Sequence, residues 1–269
     1  MNLDPSVSSS TSLTLHGSNI EGALPGGAEQ YILNLYSQVA EPFASEGEMR
    51  GWLTSKGVDC DVANSRKGLT KLFEKIEAGE AKLIYDSQST RVFRCARVAR
   101  IDAEITIGGE TFPLIELCQI FLKDKISKSV LESSDCSDVG DLLSKIEIRS
   151  AQVRNSQQLW ETLIGEEDAE LGARRGVKEE LGLTTAVADQ VEISMTSRLV
   201  EYEDPIDWPG IHSILETNSA KAVLPESISR PVFWELEAGD QITIFVATPN
   251  APVIKGLLGA VIPKIQYVA

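Results

Sequence analysis

The chain has 269 residues, of which 42% are hydrophobic, enough for one large domain or a domain with a smaller companion. A formal net charge of −15 and a pI near 4.6 exclude the broad basic footprint that a nucleic-acid polymer or an anionic membrane requires, although a local basic patch can still hold a phosphate. Cys60, Cys95, Cys118 and Cys136 are widely separated, with no CxxC pair, and are expected to be idle thiols of a cytoplasmic protein. No apolar run approaches the ~20 residues that span a bilayer, so no membrane association is expected.

Residues 1–28 are rich in Ser, Gly and Thr and predict a disordered leader. From Ala28 the character changes. Tyr31, Leu35, Val39 and Phe43 recur at four-residue intervals, a helical stripe interrupted by Pro42. A second helix is predicted from Glu46 through Trp52 and Leu53, stopped by Gly57. A third, Gly68 to Gly79, places Leu69, Leu72, Phe73 and Ile76 on one face. Residues 29–80 thus form a small helical N-terminal module, followed by a larger domain over 81–269.

Arg91, Arg94, Arg97 and Arg100 stand three apart, as a helical stripe would, but alternation decides otherwise. Ile101, Ala103, Ile105 and Ile107 share one face, with Arg100, Asp102, Glu104 and Thr106 on the other, a period of two. On a strand the four arginines divide between faces and form no single phosphate-binding row. Gly108-Gly109 supplies a tight hairpin. The return strand, roughly Thr111 to Lys123, is apolar on both faces, as a strand inside a sheet is. Ser127 to Asp141 reads as a surface excursion. Further strands are expected over Val191–Val200, Ile211–Thr217, Pro231–Leu236 and Ile242–Thr248. Strands on both sides of one central helix indicate an α+β fold with a mixed sheet packed between helices.

That central helix carries the most deliberate spacing of carboxylates. Asp168 or Glu167 can cap its start, where backbone N–H groups lack partners, and Gly182 can supply a left-handed stop. Val177 and Leu181 share a face with Ala173, which leaves Glu179 and Glu180 on neighbouring bearings of another. Paired hard oxygen ligands of this kind suit Mg²⁺ or Mn²⁺.

The segment 161–183 resembles the Nudix box, G-x5-E-x7-R-E-U-x-E-E-x-G-U with U aliphatic. The fit places Glu167 on the first glutamate, Arg175 on the arginine, Val177 on the aliphatic position, Glu179 and Glu180 on the glutamate pair, and Gly182-Leu183 on the ending. Two positions depart. Glu161 stands where the opening glycine belongs, with Gly165 available for the turn, and Gly176 replaces the glutamate that follows the arginine. By helical bearing Gly176 falls between Glu179 and Glu180, so the gap is in the middle of the acidic group. Less specific similarity to poorly characterised Nudix-like proteins extends over about residues 45–248.

The resemblance implies a Nudix-like α/β/α sandwich and hydrolysis of a small-molecule diphosphate, with Glu167, Glu179 and Glu180 binding Mg²⁺ (or Mn²⁺) and Arg175 bracing the helix. Gly176 points to the alternative, a catalytically degenerate domain that binds a ligand or protein without turnover. Elsewhere, His212 is expected to be structural and His16 falls in the leader. Glu201, Glu203, Asp204 and Asp207 form an acidic stretch that could lend one more carboxylate, though a solvated loop is the plainer reading. Trp208 could stack on a base, but its surroundings favour packed scaffolding.

Overall fold

A computed structural model gives the fold; it describes residues 12–15, 28–127, 139–156, 158–203, 207–228, 230–237, 239–261 and 265–267. The chain is mixed α/β and its strands pair both ways. It divides into two compact units, one of residues 1–99, 162–172 and 196–219, the other of 100–161, 173–195 and 220–269. Strands β3 (Arg91–Ile107), β7 (Glu192–Glu203) and β8 (Ile211–Val223), and the helix Ala169–Glu180, each contribute residues to both.

The first unit holds four N-terminal helices, α1 (Ala28–Tyr36), α2 (Glu46–Ser55), α3 (Cys60–Ala63) and α4 (Leu69–Glu77). Gly57 and Gly79, at φ 82° and 75°, sit just past α2 and α4 in the left-handed conformation that glycine adopts without penalty. The helical stripe over 31–43 is shorter than its sequence pattern. Helix α1 ends at Tyr36, burying Ile32 and Leu35, and Val39 is 94% exposed. A four-residue recurrence continues past the helix by coincidence, because nothing in the pattern marks where the backbone leaves it.

Strand β1 (Ser12–Leu15), within the stretch expected to be a leader, pairs in parallel with β7, and Ala28 at its end already opens α1; residues 1–11 and 16–27, with His16, lie outside the described residues. The strand order in this unit is β1-β7-β8-β3, with β2 (Lys82–Asp86) antiparallel to β3. Met49, Leu53, Leu69 and Leu72 from the helices pack with Leu83, Val92, Trp208 and Ile211. Ile32 and Leu35 pack with Ile84, Phe93, Val200 and Ile214. The helices of 29–80 therefore share their core with strands from three other parts of the chain.

The second unit is built on β4 (Glu110–Leu122). Gly108 and Gly109, at φ 62° and 85°, make the two-residue turn that joins it to β3, the geometry that a tight hairpin demands. Beyond that hairpin, β4 is flanked by β10 (Gln241–Ala247) and β5 (Ile148–Ser156), both antiparallel, which explains its double-faced apolarity. The edge strand β9 (Val232–Glu237) pairs with β10, β11 (Ile265–Tyr267) lies parallel to β5, and β6 (Leu159–Thr162) pairs with β3. Leu117, Ile120, Ile242 and Ile244 form a core with Leu142 of the helix Val139–Ser144 and Leu258 of the helix Ala251–Val261. Both helices, like β2, β5 and β6, lack a period strong enough to be singled out in the sequence. Residues 128–138 of the expected surface excursion, including Cys136, lie outside the described residues. No helix among the described residues is long and apolar enough to cross a membrane.

Candidate functional site

The loop into the central helix is ordered by its own side chains. Gly165 takes φ 53°, and Glu167 turns its carboxylate back to accept the N–H of Ile164 at 3.1 Å. Asp168 caps the helix Ala169–Glu180, accepting from the N–H groups of Glu170 and Leu171 at 2.9 and 3.2 Å. The far end closes as a Schellman motif. Leu183 N–H reaches the carbonyl of Lys178 at 2.8 Å and Gly182 N–H that of Glu179 at 3.1 Å, with Gly182 at φ 58°. Ala173, Val177 and Leu181 are buried, as their common face requires.

Arg175, Glu179 and Glu180 all belong to the second unit; Glu167 belongs to the first, where its carboxylate is committed to the turn. Arg175 donates to Glu161 at 2.7 Å and stands 3.7 Å from the exposed carboxylate of Glu179. Glu180 is half-buried and faces Glu235 of β9, and each carboxyl bears on the other's protonation. Burial, then the charge of Glu235, then Glu237 and Glu161, push the Glu180 carboxyl up to about 9. The Glu235 carboxyl is also raised, by burial and by the nearby Glu237, Glu179 and Glu161. Glu237 in turn accepts the Thr243 hydroxyl at 2.7 Å.

Glu235 and Glu237 escaped sequence reasoning. Their one signal is alternation, Phe233-x-Glu235-x-Glu237 on a strand, which puts two acids on one face without saying what they meet. Among the described residues no three His, Cys, Asp or Glu side chains form a ready-made metal-binding group. The donors present nonetheless fit Mg²⁺ or Mn²⁺. Mg²⁺ commonly takes one or two carboxylates and completes its shell with water and substrate phosphate, and a carboxylate pair that retains a proton is a place where a cation can replace it.

The first unit holds a cavity of about 840 Å³ lined by Tyr36, Lys82, Arg97, Arg198, Glu216 and Asn218, among others. Glu216 is almost completely buried, and burial alone would raise its carboxyl. Hydrogen bonds from Arg198 (2.8 Å) and Asn218 (3.2 Å), with Arg97 at 3.4 Å, outweigh burial and hold it below the usual range. Arg97 also donates to the carbonyls of Gly165 and Glu167, both at 3.0 Å, and so pins the loop before the helix. A charged residue inside an apolar strand is the sequence signal that marks Glu216.

The remaining candidates are structural. Trp208 is 2% exposed and donates its indole N–H to the carbonyl of Gly68 at 2.9 Å. His212 meets the Tyr202 hydroxyl at 2.6 Å and packs on Phe93. Arg94 lies over Trp208 and Arg100 over Trp160, while Arg97 turns to Glu216 and the carbonyls of Gly165 and Glu167. Within the acidic stretch, Glu201 is buried and accepts from Thr217, and Asp207 pairs with Lys67 at 2.7 Å; Asp204 and the Glu203 side chain lie outside the described residues. Cys95 and Cys118 are buried, and burial pushes both thiols up to about 12. No family model matches the chain, and no curated protein matches it.

Proposed function

We propose that the protein is a Nudix-like hydrolase of small-molecule diphosphates, and that the carboxylates of the second unit hold its metal. The observation that carries this reading is the Glu180–Glu235 pair. Two carboxyls held together, partly out of water, are costly unless a proton or a cation lies between them. The further charges that weigh on Glu180, those of Glu237 and Glu161, have the same sign as its own. The helix geometry supports the same reading: a capped start, an arginine bound to carboxylates, and paired glutamates before a glycine stop.

Glu180 and Glu235 would hold Mg²⁺ or Mn²⁺, with Glu179 alongside. The bound metal supplies charge for phosphate oxygens and acidifies water. Everything else falls to side chains. Arg175 fixes Glu161 and stands beside the exposed Glu179. Without metal the Glu180 carboxyl keeps a proton near neutral pH, and a bound cation would displace it.

The test is release of phosphate or a nucleoside monophosphate from a panel of nucleoside-diphosphate derivatives and other organic diphosphates with Mg²⁺. Wild-type protein is expected to turn over one class, and Glu180→Gln to lose about a hundredfold or more. Undiminished release by the Glu179→Gln/Glu180→Gln double variant would reject the assignment. A second reading, a degenerate module that binds without turnover, is favoured by one observation: the helix has a buried glycine at 176 where the motif has a glutamate. Saturable binding of a diphosphate with no product after prolonged incubation would establish it.

A further inference from the structure

Gly176 is not an empty place on the helix. A Cβ built on it would lie 2.7 Å from the Cβ of Glu161, 3.1 Å from its Cγ and 3.2 Å from the Ile101 methyl. The nearest atom is a Cβ, fixed by the backbone, so no rotamer change relieves the contact. The stem of Glu161 thus lies directly over Gly176, and its carboxylate is held at 2.7 Å by Arg175, the neighbouring residue on the same helix. The charge of Glu161 is also felt by both Glu180 and Glu235. All these residues belong to the second unit. By helical bearing, position 176 falls between 179 and 180.

We propose that Glu161 and Gly176 are a matched pair, in which Glu161 supplies from strand β6 the carboxylate that the helix lacks at 176. The glycine is the condition for this arrangement, because any side chain there would displace Glu161. The sequence shows the same exchange in one dimension: an acid where the motif has glycine, and a glycine where it has an acid. Glu161 is then a positioning residue that sets Arg175 and adds negative charge beside Glu180 and Glu235. The metal part of this proposal rests on the hydrolase reading; the pairing of the two residues does not.

Two measurements test it separately. Gly176→Ala in an open mid-helix site raises Tm, because glycine is a poor helix former. Here overpacking outweighs propensity, and Tm is expected to fall by about 5 °C. In a Glu161→Gly background the same Gly176→Ala change is expected to raise Tm. A rise in the wild-type background, or no reversal between backgrounds, overturns the pairing.

Mn²⁺ titration tests the carboxylate. Glu161→Gln keeps the packing and is expected to weaken Mn²⁺ about tenfold. The exchanged variant Glu161→Gly/Gly176→Glu is expected to recover most of that loss. Wild-type affinity in Glu161→Gln overturns the charge role. Absence of Mn²⁺ binding by the wild type overturns both the hydrolase reading and the metal part of this proposal, while the Tm reversal still decides the pairing.

Discussion

Replacing Glu180 with Gln should make the protein more stable at alkaline pH while leaving it nearly unchanged at pH 5. In the folded chain, burial and the carboxylates of Glu235, Glu237 and Glu161 hold the Glu180 carboxyl at about 9. An unfolded glutamate titrates near 4.3, so the folded state keeps a proton that the unfolded state releases. The stabilising contribution is therefore complete below about pH 4 and is lost progressively as pH rises towards 9. Between pH 5 and 8 the full linkage is about 4 kcal/mol, and water reaching the partly exposed pair reduces it to about 2 kcal/mol. For a chain of this size that is a Tm difference of roughly 4–8 °C. A neutral glutamine retains a hydrogen-bond donor for Glu235 and carries no charge to lose. Thermal melts of wild type and Glu180→Gln at pH 5 and pH 8 measure the effect, and the general charge repulsion of an acidic chain cancels in the comparison. The reasoning fails if the two proteins show parallel pH profiles. Mg²⁺ sharpens the result, since it should raise the wild-type Tm more at pH 8 than at pH 5 and do so much less in the variant.

Four other outcomes follow from single residues. Glu216→Ala takes the buried partner from the partly buried Arg97 and the exposed Arg198 and should cost about 1–3 kcal/mol by urea denaturation. Because the Glu216 carboxyl is held below its usual range, its stabilisation is present above the unfolded pKa and disappears as pH falls through the folded one; acid melts of Glu216→Gln should lack that loss. Asp168→Ala removes the helix cap and should lower stability by about 1 kcal/mol, with Asp168→Asn retaining most of it. Among the described cysteines, Cys60 should react with a thiol reagent in the native protein while Cys95 and Cys118 react only on unfolding.

The parts of the fold legible in the sequence are those set by local chemistry. Gly108-Gly109 has almost no alternative to a tight turn, and Gly182 after Glu-Glu-Leu has little choice but to end a helix. Asp168 announces a helix start by its side chain alone. The helix around Leu72 follows from a strong apolar period. What escaped depends on partners distant in sequence. Strand β5 carries Arg149, Gln152 and Arg154 among its apolar residues, and only pairing with β4 and β11 defines it. Val39 continues a spacing whose helix has already ended. At the site, the glutamates and arginine of the helix were visible, whereas Glu235, some 55 positions beyond Glu180, was not. The relation of Glu161 to Gly176 needs a strand and a helix side by side, and a sequence shows each only as a departure from a motif.

The central claim is that the Glu180–Glu235 pair is a cation-dependent catalytic site. Calorimetric titration of Mg²⁺ into wild type, Glu180→Gln and Glu235→Gln, in the presence of a non-hydrolysable diphosphate, tests it most directly. The account predicts saturable binding by wild type with release of a proton, and a loss of at least about tenfold in affinity in each variant. Equal Mg²⁺ affinity in all three proteins, with no proton released, would contradict it.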